Sequence, residues 1–266
     1  MEWLAVAALL VVGLTVAAWL GQESMIFFRQ PLVSTAHLPT GAVTLEIAAA
    51  DGTLLRGWLR PADGAPAPTV LLFGGNAEEI SWSLADRRWP RDWAIAAFNY
   101  RGYGASEGKP SEQALLADAL VIHDAVAARP EVDARRIVVY GRSLGTGVAA
   151  RVAAERPVVG AILASPYDSF VELGRTHYPW LPISLLLRHR FDAQADARRA
   201  SAPLLAIVAA KDQIVPVERS RALFEVWSGP KAWREIAGAD HNTLGEYPAF
   251  WQGIVAFLAE RRDERR

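Results

Sequence analysis

Five short runs between residues 70 and 209 are apolar at almost every position: Val70 to Phe73, Ala94 to Tyr100, Ile137 to Tyr140, Ala161 to Ala164 and Leu204 to Ala209. A strand with one wet face alternates apolar and polar side chains, so strands that do not alternate are covered on both faces. Between and after the runs lie segments with helical spacing: Ile80 to Trp89, Ser111 as an N-cap leading to about Arg129, Leu144 to Glu155, Val217 to Trp227, and a last one near Phe250 to Arg261. Strand Trp233 to Ile236 and a hairpin of Val43 to Ala48 with Leu54 to Arg60, turning at Asp51-Gly52, complete the series. The expectation is an α/β fold with a mostly parallel sheet of about eight strands, helices on both faces and an antiparallel opening.

Residues 1–22 stand apart. Trp3 to Gly21 carries no charge and lies between Glu2 and Glu23. As a helix it would reach roughly 28 Å, close to the hydrocarbon thickness of a bilayer. No Lys or Arg precedes it, which disfavours a secretory signal relative to an uncleaved transmembrane anchor. Residues 23–40 then read as a tether and 41–266 as the folded domain. Arg29 is the only basic side chain near the run, so orientation in the membrane stays open. The 52% hydrophobic content excludes a disordered chain. With 28 basic and 29 acidic side chains and a net charge of −1 there is no field to gather a nucleic acid. The absence of cysteine removes disulfides, thiolate metal sites and cysteine nucleophiles.

In a parallel sheet, chemistry belongs in the loops beyond the carboxyl ends of the strands. After Ile137 to Tyr140 comes Gly141-Arg142-Ser143-Leu144-Gly145, a G-x-S-x-G set between strand and helix. That spacing puts Ser143 on a sharp turn that side chains at the two glycine positions would obstruct. A serine hydroxyl needs a base, and the base needs an orienting acid. Of the five histidines, His241 alone follows a late strand directly; Asp212 follows Leu204 to Ala209 and stands between Ser143 and His241 in chain order. Asp168 is the reserve acid, while Asp240 is adjacent to His241 and its side chain diverges. Backbone N–H groups of Leu144 and of Asn76, in Gly74-Gly75-Asn76-Ala77, are the candidate oxyanion donors.

FGGNAEE, NYRGYGASEG, YGRSLGTGVA, ASPYDSF, AAKDQIVP and GADHN, spread over Leu71 to Asn242, resemble the α/β-hydrolase superfamily, and within it the small single-anchor serine hydrolases of the serine-aminopeptidase-like group. The resemblance implies an α/β-hydrolase fold with a short cap insertion at about residues 167–200. It also implies Ser143 as nucleophile, Asp212 as acid, His241 as base and a backbone oxyanion hole at Asn76 and Leu144. The family's oxyanion motif commonly begins His-Gly-Asn; Gly74 stands in the histidine's place, leaving the bracing of that loop open. Expected activities are ester or thioester hydrolysis, with peptide or amide hydrolysis on the same triad, or an inactive hydrolase-fold binding module, as alternatives. No cofactor and no metal are expected: His123, His177 and His189 lack ligand spacing, Gly102, Gly104 and Gly108 miss the dinucleotide spacing, and Pro110 follows Gly108-Lys109 where a phosphate loop needs Ser or Thr. The expected partners are a small acyl substrate, with a lipid among the candidates, and the membrane. The apolar residues from Tyr178 to Leu187 either pack on the main domain or form a lid.

Overall fold

The computed structural model of the chain describes residues 19–262 together with Trp3, Val6 and Gly13. In chain order its elements are α1 (Gln22–Ile26), β1 (Val43–Ala48), β2 (Leu54–Arg60), β3 (Ala67–Phe73), α2 (Ser81–Leu84), β4 (Ala94–Phe98), α3 (Glu112–Ala127), β5 (Val132–Arg142), α4 (Leu144–Glu155), β6 (Gly160–Ala164), α5 (Phe170–His177), α6 (Ile183–Leu186), α7 (Ala193–Ala197), β7 (Leu204–Ala209), α8 (Val217–Val226), β8 (Lys231–Ile236) and α9 (Pro248–Arg261). The eight strands form one sheet in the order β1-β2-β4-β3-β5-β6-β7-β8. β1 and β2 are antiparallel, β2 meets β4 antiparallel, and every later pairing is parallel.

The apolar runs divide by parity. Leu71, Phe73, Ile137, Val139 and Leu163 face one core, which also takes Leu115 and Ile122 of α3 and Val148 and Val152 of α4. Val70, Leu72, Val138, Tyr140 and Ile162 face the other, which takes Ile254, Phe257 and Leu258 of α9 with Trp89 and Trp93. Neighbouring residues on a strand point to opposite faces, so two cores require strands apolar at every position. Ser111 caps α3 by accepting from the Ala114 N–H at 3.2 Å.

Two element boundaries differ most from the sequence reading. Ile80 to Trp89 has helical spacing, but the helix ends at Leu84, because Asp86 accepts from the Arg88 N–H at 2.9 Å and Pro90 follows. A local side-chain turn competes successfully with continuation of the helix. β5 starts five residues early, at Val132, where Asp133, Arg135 and Arg136 are polar and partly exposed and so carry no apolar pattern.

The proposed anchor lies almost wholly outside the described residues. Among the described residues no helix is long and apolar enough to cross a membrane. The segment read as a tether runs along the domain and is fastened to it. Phe27 is buried, with its ring edge-on to His189 at 5.2 Å and to Phe191 at 6.2 Å. Gln22, the last residue of the segment read as the anchor, is buried too; its Nε2 donates to Leu186 O at 2.7 Å and its Oε1 accepts from the Arg188 N–H at 2.8 Å. Residues 167–200 hold three short helices, α5 to α7; α5 follows the carboxyl end of β6, and α7 lies along α4, where Asp196 pairs with Arg151 at 3.0 Å.

Candidate active site

Ser143 sits between β5 and α4 with φ 50° and ψ −117°, in a region that costs a non-glycine residue energy and is held only by its surroundings. The surroundings are tight. A side chain at Gly141 would overlap the Gly145 carbonyl, and one at Gly145 would overlap the carbonyls of Phe73 and Gly74. The turn is therefore closed by backbone touching backbone, and the Ser143 N–H donates to Ala164 O at 2.9 Å. What the turn presents is one hydroxyl at the end of the central strand.

The loops after β7 and β8 meet it there. His241 Nε2 lies 3.0 Å from Ser143 Oγ, and its Nδ1 lies 2.8 Å from Asp212 Oδ2 and 3.0 Å from Oδ1. A carboxylate only accepts, so Nδ1 carries the proton and Nε2 keeps the lone pair that faces the serine. The Ile214 and Val215 N–H groups donate to Asp212 Oδ1 at 3.0 and 2.7 Å. Burial disfavours the charge on Asp212, but the His241 hydrogen bond and charge and the Val215 N–H outweigh it, and the carboxyl is held below its usual range.

The other two acids are engaged elsewhere. Asp168, buried, accepts from Arg219 Nη1 at 2.9 Å and from the Ser169 N–H at 2.8 Å. Asp240 accepts from the Asn242 and Thr243 N–H groups, both at 2.9 Å, and so shapes the turn that carries His241. Among the described residues no group of three metal-ligating side chains stands close enough to hold an ion.

Leu144 opens α4, so its N–H has no acceptor within the helix. In the loop after β3, the Gly75 N–H is taken by Glu78 Oε2 at 2.6 Å, which leaves the Asn76 N–H as that loop's next donor. The bracing that Gly74 cannot supply through a side chain comes from three other groups. Tyr100, kept protonated by burial, donates to Gly74 O at 2.8 Å. Arg142, the variable residue before the serine, places Nη1 3.5 Å from Glu78 Oε2 and donates from Nη2 to His241 O at 3.1 Å. One guanidinium thus joins the loops after β3, β5 and β8. The Asn76 side chain forms a clasp: Oδ1 accepts from the Phe28 N–H at 3.0 Å and from Tyr103 Oη at 2.8 Å, while Nδ2 donates to Ile26 O. Sequence reasoning missed Arg142, Glu78 and Tyr103. A charged residue between the glycine and serine of the motif was the one available signal.

A mostly parallel eight-stranded sheet with a serine turn after its central strand defines an α/β-hydrolase fold. The comparisons agree. The serine aminopeptidase (S33) family model matches residues 64–182. The uncharacterized protein Rv2307c of Mycobacterium tuberculosis is 34% identical over 263 residues, covering 97% of this chain and 92% of its own. The lysophosphatidylserine lipase ABHD12 of Rattus norvegicus is 26% identical over 245 residues, 79% of this chain and 60% of its own. Among solved structures, the esterase Pf2001 of Pyrococcus furiosus superposes with a TM-score of 0.66 at 20% identity, covering 88% of this chain and 97% of its own. The chain belongs to the α/β-hydrolase superfamily and is a hydrolase by family.

Proposed function

We propose that the protein is a membrane-held serine hydrolase that cleaves an acyl ester or thioester through a covalent acyl-serine. The observation that carries this reading is the position of His241, within hydrogen-bonding distance of Ser143 Oγ on one side and of Asp212 on the other. Ser143 Oγ attacks the acyl carbonyl carbon as its proton passes to His241 Nε2. The oxygen of the tetrahedral intermediate is met by the N–H groups of Leu144 and Asn76, which need no reorganisation as charge develops. Asp212, held ionised, fixes the imidazole tautomer and stabilises the imidazolium. His241 then returns the proton to the departing alcohol or thiol. Water, deprotonated by His241, attacks the acyl-serine; the acid leaves and Ser143 recovers its proton.

The lipase activity named for the rat relative and the esterase activity named for the Pyrococcus structure support acyl-oxygen chemistry over peptide cleavage. The cap supports it too, since Trp180 is 74% and Leu185 82% exposed and neither fills the main domain. The uncharged run from Trp3 to Gly21 would hold the enzyme at a bilayer. The test is labelling of the full chain by a fluorophosphonate, followed by rates on p-nitrophenyl esters, acyl thioesters and aminoacyl amides. We expect labelling that Ser143→Ala abolishes, a loss of turnover of about 10³-fold or more in that variant, and esters or thioesters ahead of amides. An unlabelled, well-folded parent would point to a binding module instead, and a preference for amides would reassign it as a peptidase.

A further inference from the structure

Large apolar side chains stand in water along one rim of the site. Tyr178 is 52%, Trp180 74%, Leu181 42% and Leu185 82% exposed, all in the stretch from the end of α5 to α6. The rings of Tyr178 and Trp180 pack edge to face at 6.0 Å, which fixes a shape without covering it. At one end the rim borders the catalytic loop, because His177 Nε2 donates at 2.9 Å to the carbonyl of Ile214, itself 49% exposed and two residues from Asp212. At the other end it meets the chain's first segment, where Gln22 is bonded to Leu186 and Arg188 on either side of Leu187. Gln22 directly follows Gly21, the end of the uncharged run. Consecutive Cα atoms are 3.8 Å apart, so Gly21 lies about 4 Å from Gln22.

We infer that the cap surface from Tyr178 to Leu185 docks on the lipid bilayer, so that the opening over Ser143 faces the membrane rather than the aqueous phase. The inference rests on the membrane-held reading of the first segment. If that run enters a bilayer, the short reach from Gly21 to Gln22 leaves the cap no position but the surface. Tyr and Trp beside Leu is also the composition that settles at the headgroup level. The substrate class then sharpens to an acyl lipid reached from within its own leaflet.

The chain contains no cysteine, so single reporters can be placed without removing native thiols. Trp180→Cys and Leu185→Cys probe the face. Ala259→Cys, exposed near the carboxyl end of α9 beside the start of β5, probes the far end of the sheet. Full-length protein carrying each label is mixed with phosphatidylcholine vesicles containing a spin-labelled lipid. We expect quenching at 180 and 185 and none at 259. Labels at 180 and 185 that stay as water-accessible as the one at 259 would overturn the docking face, even where the protein resists alkaline extraction. Quenching in protein that the alkaline wash releases would keep the face and overturn the anchor instead. Energy transfer between chains labelled at 180, persisting on dilution in lipid, would assign the surface to a second copy and overturn the inference. Trp180→Asp with Leu185→Asp should lower hydrolysis of a vesicle-embedded ester several-fold and leave a short soluble ester unchanged; equal loss on both would also overturn it.

Discussion

At the scale of single residues, acid and base can be separated by what their partners require. Asp212→Asn would present an amide that can donate, which turns the His241 lone pair away from Ser143. The expected loss of kcat is about 10⁴-fold with the protein folded. Asp168→Asn serves as the contrast: its carboxylate is spoken for by Arg219, so steady-state rates on a soluble ester should stay within a few-fold of the parent. Arg142 acts at one remove from the chemistry. Arg142→Ala frees both Glu78 and the His241 carbonyl, and we expect kcat to fall while KM changes little. The ion pair is partly exposed, with side chains 29% and 24% accessible. A double-mutant cycle with Glu78→Gln should therefore give a coupling of about 0.5–1 kcal/mol, read from kcat/KM. These positions also mark where sequence reading ended. The meeting of Ser143, Asp212 and His241 was legible because the roles proposed for them would impose a turn, an order and a place after a strand. Arg142 and Glu78 were not, because a guanidinium bridging three loops leaves no spacing in the chain.

At the scale of elements, the strands were readable because a doubly buried strand has no polar positions to obscure it, as β3, β6 and β7 illustrate. The segment from Gln22 to Arg29 was not, since its attachments are made by Asn76, Leu186, Arg188 and Phe191, all distant in the chain. Those attachments are testable through the clasp. Asn76→Leu keeps the backbone N–H but leaves the Phe28 N–H and Ile26 carbonyl without their partners. An unmade bond of this kind costs about 1–3 kcal/mol, so hydrogen exchange at residues 22–29 should accelerate by roughly one to two orders of magnitude. kcat is expected to fall with it, because the same residue carries the N–H proposed as an oxyanion donor.

At the scale of the whole molecule, acid stability has a definite sign. Arg156 pairs with Asp124 and holds its carboxyl below the usual range, and Asp212 is held low despite burial. For such groups the unfolded chain binds protons more readily. Their stabilisation is complete above the ordinary value near 4 and is lost as pH falls through the lower folded value. Asp168 and Asp196 are raised by burial and pull the other way, ceding stability as pH climbs from the ordinary value through the folded one. Thermal scans from pH 2.5 to 6 should therefore show Tm falling in acid, and Asp124→Asn should flatten that fall, whereas Asp168→Asn should steepen it. The strap at the start of the chain has a further bearing, on timing. Gln22 finds its partners 164 and 166 residues later. At 5–20 residues per second a ribosome needs about 10–30 s to supply them. Throughout that interval Gln22 lacks both partners, and under the proposed membrane-held reading the first segment would meet a bilayer before the cap and His241 have been made.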